Sequence, residues 1–257
     1  MMLLNAIERE DAETRGVVLS NAAVVYAESA DAESADAFFK EAVDLAVASD
    51  DRVAQATRLG NYGWFLLLVG RPRRAQTTLE QALVLSQELG LKLQTAVQTD
   101  NLGLVRDALG EYTAALELHE QAVQLTTDKG WQSLFRANAA NSLISLGRYD
   151  DALALLDTML VAARAQPHDD ALVAGLIAQA RARLAVGLHS IEPVIDEAIA
   201  VARKLDHRRL LAEALAERSR WQARQGQSDG ALASWDEAQK LYLLLHMPQG
   251  KLSPDWL

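Results

Sequence analysis

The side chains able to do chemistry in this sequence fall into a scattered group and an ordered one. His119, His168, His189, His207 and His246 are scattered, and no H-E-x-x-H pair, Gly-rich phosphate loop or nucleophile-elbow turn accompanies them. No Cys is present, which excludes thiolate metal ligands and disulfides. His168-Asp169-Asp170 has the elements of a metal site. Asp residues at a helix start satisfy free N–H groups and meet the dipole favourably, so this triplet reads better as a helix start. No catalytic residue, metal site or cofactor follows, and a non-enzymatic protein is expected. The ordered group is a row of carboxamides, Asn21, Asn61, Asn101 and Asn138, at intervals of 40, 40 and 37 residues. A carboxamide donates and accepts at once, so it can bond the backbone of an extended peptide without reading its side chains; it can equally bond a neighbouring helix. Both uses stay open here. Three residues beyond the row come Trp64, Leu104, Asn141, Arg181 and Arg220, and four beyond those come Leu68 and Arg224; on a helix these spacings share one face.

The elements that must position these residues repeat with the same period. Small residues, Ala23, Gly63, Gly103, Ala140, Ala180 and Ser219, stand in the middle of what reads as a first helix. Gly70, Gly110, Gly147, Gly187 and Gly226 break it, and a second apolar period follows. In that second helix Ala35, Ala75, Ala115, Ala152, Pro193 and Ala231 recur at intervals of 40, 40, 37, 41 and 38 residues. Such self-similarity means a repeat array. Hairpins are expected at about 8–48, 51–89, 92–128, 131–165, 169–205 and 207–246. The small mid-helix residues let two helices approach closely, facing Ala75, Ala115 and their equivalents. Ser190-Ile191-Glu192-Pro193 departs from the pattern, since Pro suits a first helical turn, so the fifth hairpin should be offset or bent by a residue. His119 occupies the bulky position of its second helix and reads as packed or hydrogen-bonded.

These residues resemble the tetratricopeptide repeat in its long-helix form, with units of about 40 residues against a minimal unit of about 34. The resemblance implies an all-α fold, a right-handed α–α superhelix of about six hairpins over residues 1–246, with 247–257 as a tail. It implies a concave groove lined by the first helices and a protein or peptide partner. It places Asn21, Asn61, Trp64, Leu68, Asn101, Leu104, Asn138, Asn141, Arg181, Arg220 and Arg224 in that groove, apolar with carboxamides in the early units and Arg-rich in the late ones. The family's cation clamp for C-terminal carboxylates is not recognisable in the first three units, which disfavours a chaperone-tail adaptor. The leading expectation is a binding scaffold; the alternatives are a self-associating structural scaffold and a peptide-switched regulatory sensor without its own effector domain.

Bulk composition agrees with helices: half the residues are hydrophobic, only five are Pro, and Ala, Leu, Arg, Glu and Gln abound. A formal charge of −10 argues against nucleic acid as a partner. The charge is uneven, with twelve acids in residues 1–51 and an Arg-rich stretch over 203–224, which reads either as solvated faces or as two ends that orient a partner. Met1-Met2-Leu3-Leu4 and Trp64 to Val69 are too short for a signal peptide or a membrane span, so a cytoplasmic protein without membrane contact is expected. The last helix is apolar around much of its circumference, although solenoid ends normally present a polar face. Either the tail, anchored by Trp256 and Leu257, or a second subunit must cover it. The subunit is the expectation, a homodimer through Trp235, Tyr242 and Leu245.

Overall fold

The computed structural model describes residues 12–28, 32–165, 169–188, 190–254 and 256; the start of the first expected hairpin, His168, His189 and Leu257 lie outside them. Among the described residues there are twelve α-helices and no strand. They are α1 (Ala12–Glu28), α2 (Ala32–Ala48), α3 (Arg52–Leu68), α4 (Pro72–Glu88), α5 (Lys92–Ala108) and α6 (Tyr112–Leu125), then α7 (Lys129–Ser145), α8 (Tyr149–Arg164), α9 (Asp169–Ala185), α10 (Glu192–Lys204), α11 (Arg208–Arg224) and α12 (Ser228–Leu244). A 3₁₀ turn, Pro248–Lys251, follows. Each helix packs on the next, and the first helices of successive hairpins from α3 to α11 also pack on one another. That second set of contacts puts the first helices on the inside of a curved stack, a right-handed α–α superhelix. No helix of the described residues is long and apolar enough to cross a membrane.

The turns explain why the chain doubles back where it does. Gly70, Gly110, Gly147, Gly187 and Gly226 all sit in the left-handed region, with φ from 72° to 80°, where a Cβ is penalised. After α3, Gly70 N–H donates to Leu67 at 3.0 Å and Arg71 N–H to Leu66 at 2.8 Å, the paired bonds that close a helix C-terminus. The same pair recurs at the other four turns. At helix starts, the Asp51 carboxylate accepts from Ala54 N–H at 2.9 Å and the Asp128 carboxylate from Trp131 N–H at 3.0 Å.

Close approach of the two helices in a hairpin depends on the small mid-helix series, and the nearest group across the gap is the bulky second-helix residue, with the expected Ala75 beside it at Gly63. A Cβ on Gly63 would lie 2.5 Å from Leu79 Cγ, and one on Gly103 would lie 2.6 Å from His119 Cε1. The bulky second-helix residue sinks into the gap, and Ala75 and Ala115 are buried beside it. The fifth hairpin also corrects a detail. Ile191, 1 % exposed, fills the place of Ala152 and Ala231, 39 and 40 residues away, and Pro193 merely stands in the first turn of the shortened α10. Lacking an N–H, Pro193 fits where the helix begins, so the repeat is kept and the helix starts late.

The C-terminal end carries the clearest correction. Trp235 is 8 % and Tyr242 4 % exposed within the single chain, in a core that includes Met247 and is flanked by Trp256 and Leu245. Trp256 Nε1 donates to Ser219 Oγ at 2.8 Å, and the Gln239 amide donates to the carbonyls of Gly250 and Leu252 at 3.2 and 3.3 Å. Gly250 lies so close to the Leu243 backbone that a Cβ would come within 2.7 Å. The tail is long enough to turn back and is anchored by an indole, so the surface reserved for a second subunit is already covered. Leu232, Leu243 and Leu244 are the large apolar residues of α12 that stay exposed.

Replacing Gly103 by Leu should destabilise the protein by about 1–3 kcal/mol, because the added side chain must displace His119 or push the close-packed helices of the hairpin apart. Thermal unfolding followed by circular dichroism checks this; an unchanged midpoint would place the helix contact elsewhere.

Candidate ligand channel

The superhelix curls far enough to bring its second hairpin back to its last. The Arg209 guanidinium of α11 lies over the Trp64 ring of α3, 5.6 Å from its centroid. Such a contact contributes roughly 0.5–1 kcal/mol when exposed. Nearby, the C-terminal turn abuts the second hairpin: a Cβ on Gly70 would come within 2.6 Å of Pro248 Cγ. Two contacts thus close the concave face into a ring. Inside it lies a cavity of about 370 Å³ lined by Asn61 and Trp64, by Gln98, Asn101 and Leu104, by Trp131, Leu134, Asn138 and Asn141, by Asp170, Ala174 and Ile177, and by His207, Arg209, Leu210 and Glu213. Every inner helix from α3 to α11 contributes. A second cavity of about 550 Å³ opens at the seam between the two ends and shares Asn61, Trp64, His207 and Arg209 with the first.

Under the channel floor runs a buried charged cluster. Asp100, 3 % exposed, accepts from Asn138 Nδ2 at 2.8 Å and stands 2.6 Å from His119 Nδ1. The other ring nitrogen of His119 is 3.2 Å from Asp107, which also accepts from Ser142 Oγ at 2.9 Å. Complete burial would by itself lower the pKa of this imidazole, but the charges and hydrogen bonds of Asp100 and Asp107 outweigh it and raise the value to about 9. His119 is therefore an imidazolium at neutral pH, with both N–H groups donating. A second cluster adjoins it through α7, which bears both Asn138 and Asn141. Arg181 Nε donates to Glu217 at 2.9 Å, its Nη1 donates to Asn141 Oδ1, and Arg220 reaches Glu217 at 2.6 Å. Burial opposes the Arg181 charge, and Glu217 and Glu213 hold it, so its pKa is raised. Arg209 pairs with Glu213 at 2.5 Å. His207, which caps α11 through a 3.4 Å bond from Leu210 N–H, is pushed below its usual pKa by burial first and then by Arg209.

The expected groove residues divide accordingly. Asn61, Trp64, Asn101, Leu104, Asn138 and Asn141 come together around the inner cavity, and Leu68 lines the seam with Trp64 and Asn61. Asn138 adopts the use the sequence left open, bonding the neighbouring helix through Asp100, while it still lines the cavity. Arg181 and Arg220 are ion-paired to Glu217 rather than offered to a ligand, and Arg224 donates to the Leu184 carbonyl at the end of α9. Asn21 is exposed on α1 and lines neither cavity. The Arg-rich stretch likewise spends Arg203 on Glu237 and Arg218 on Asp196, while Lys204 and Arg208 stay exposed. Sequence reasoning missed Gln98, Trp131, Leu134, Asp170, Ala174, Ile177, Leu210 and Glu213. They continue the same helix face one or two turns toward each N-terminus, at the i−3, i−4 and i−7 spacings that could have found them.

Models of the tetratricopeptide repeat match residues 14–88 and 108–180. The chain belongs to the tetratricopeptide repeat family. No curated protein matches its sequence. Among solved structures, this repeat array is similar to a Rap protein complexed with competence and sporulation factor, with a TM-score of 0.77 at 14% identity, over 93% of this chain and 67% of that one. It is similar to the Rap conjugation gene regulator of the plasmid pLS20, in complex with the Phr* peptide, with a TM-score of 0.74 at 15% identity, over 95% of this chain and 66% of that one. Aspartyl phosphate phosphatase F from Bacillus subtilis gives a TM-score of 0.67 at 12% identity, over 97% and 76% of the two chains. At these identities the likeness is one of fold.

The imidazolium of this repeat protein makes its stability depend on pH with a definite sign. The His119 pKa rises from an unfolded value of about 6.5 to about 9 in the fold, so its contribution is complete below the former and is lost as pH rises through the latter. Urea unfolding at pH 6.5 and 9.5 should differ by on the order of 1–3 kcal/mol, less stable at the higher pH, and a His119→Gln variant should flatten the difference.

Proposed function

We propose that this chain is a non-enzymatic receptor for a short extended peptide held in the central channel. The observation that carries the reading is the composition of that channel: the carboxamides of Asn61 and Asn101, with Asn138 and Asn141 next to them already engaged by Asp100 and Arg181, beside the apolar faces of Leu104, Trp131, Leu134, Ile177 and Leu210, all on inner helices. Carboxamides match the alternating donors and acceptors of a peptide backbone, and the apolar groups supply burial. The ring closure by Trp64 and Arg209 adds a constraint. A ligand in the channel needs a free end to thread, or must enter while the seam is open, so a short linear peptide fits better than a loop of a folded protein. Two of the similar structures hold such ligands, competence and sporulation factor in one and the Phr* peptide in the other, which supports the same use here.

The runner-up is a peptide-switched regulator, favoured by the seam, whose two ends a ligand could draw together or separate. A self-associating scaffold has less support, since Trp235 and Tyr242 are already buried within one chain. The test is selection of random hexapeptides displayed on phage against the full-length protein, followed by fluorescence polarisation with synthetic copies of the peptides recovered. Asn101→Ala combined with Leu104→Ala should weaken binding at least about tenfold, the value of one buried hydrogen bond plus one apolar side chain, at unchanged helicity. Failure to recover any binder, or binders indifferent to the double change, would overturn the reading.

A further inference from the structure

We infer that the seam cavity is the specificity pocket of this receptor and takes one large apolar side chain, of Leu, Met, Phe or Trp, from the peptide in the channel; the inference rests on the peptide reading above. The walls of the cavity come from opposite ends of the superhelix. Phe39 and Phe65, each 3 % exposed and 5.0 Å apart between ring centroids, form its closed back. Leu68 stands on the second hairpin, and Leu205, Leu245 and Met247 face it from the last two hairpins. Apolar walls that served only to close the ring would collapse onto one another, because exposed apolar surface is costly. Here they stand around a space of about 550 Å³. Two contacts hold the walls apart like a frame: Arg209 over Trp64 on one side and Pro248 against Gly70 on the other.

The space is larger than one side chain and opens to the channel, and Leu68, Leu205 and Leu245 are only half-buried, so an apolar guest seated against them would complete their burial. Entry is from the channel. The two cavities share Asn61, Trp64, His207 and Arg209, so a peptide whose backbone meets the Asn61 carboxamide has the pocket within reach of one side chain. Charge at that mouth is muted: Arg209 is paired with Glu213, and burial keeps His207 uncharged at neutral pH. Asp206 and Arg208 also line the cavity but are exposed to solvent, whereas Phe39, Phe65, Leu68, Leu205, Leu245 and Met247 give it apolar walls that a large apolar side chain would cover.

The test extends the hexapeptide selection. Peptides recovered on the unaltered chain should share one position occupied by Leu, Met, Phe or Trp, and changing that residue to Ala should lower affinity about 10- to 100-fold, the worth of burying one such side chain. Leu68→Glu, which touches the seam cavity and not the channel, should cause a similar loss, and the Ala peptide should then lose little more on this variant. Leu245→Ala, a milder change on the opposite wall, guards against misfolding, and its melting midpoint is compared with that of the unaltered chain. Additive losses in the two-by-two cycle would place the anchor residue elsewhere and overturn the inference, leaving the receptor reading intact. Binders with no apolar preference would do the same. Binding abolished by Asn101→Ala with Leu104→Ala confirms that the channel is occupied; absence of any binder sinks both readings.

Discussion

The curvature of this molecule is set where a second-helix side chain sinks into a first helix at a residue with little or no side chain of its own. Leu79 enters at Gly63 and His119 at Gly103, and neither gap admits even a Cβ. Close approach on one side of each hairpin, repeated along the array, turns a stack into a superhelix, because first helices then contact one another while second helices fan outward. The channel, the seam and the burial of the charged clusters all follow from that accumulated turn. A gap opened by one side chain at Gly103 would be felt at the seam, several hairpins away.

His119 is the residue that departs from this packing rule and survives it. The equivalent positions hold Leu79, Leu156 and Trp235, all apolar, and an imidazole there would be a buried unpaired polar group. Asp100 and Asp107 resolve the problem by supplying two acceptors, and Asn138 and Ser142 from the next hairpin satisfy the carboxylates in turn. The result joins the third and fourth hairpins by hydrogen bonds to a buried charge. In the last two hairpins Glu217 has the corresponding role, drawing Arg181 and Arg220 away from the ligand face.

What could be read from the sequence was what depends on near neighbours. The glycine turns were readable because the left-handed backbone is a local demand, and the channel residues Asn61, Asn101 and Leu104 were readable because one helix face recurs at fixed spacing. Pro193 misled because composition was aligned instead of burial; Ile191, two residues earlier, keeps the period. The ring closure was beyond reach, since it sums small rotations over five hairpins, and so was the pairing of Arg181 with Glu217, 36 positions apart. The last helix was read correctly as apolar, and its cover wrongly, because eleven residues of tail carry no periodicity to show which way they turn.

The order of synthesis gives the seam a further meaning. Each closing contact joins an early residue to one made much later, Trp64 to Arg209 and Gly70 to Pro248, so a nascent chain still lacking the later partners has inner helices but no enclosed channel. The groove is an open trough until Arg209 and Pro248 have been added. A peptide present during translation meets the lining from the side, whereas one that arrives afterwards meets it through an end.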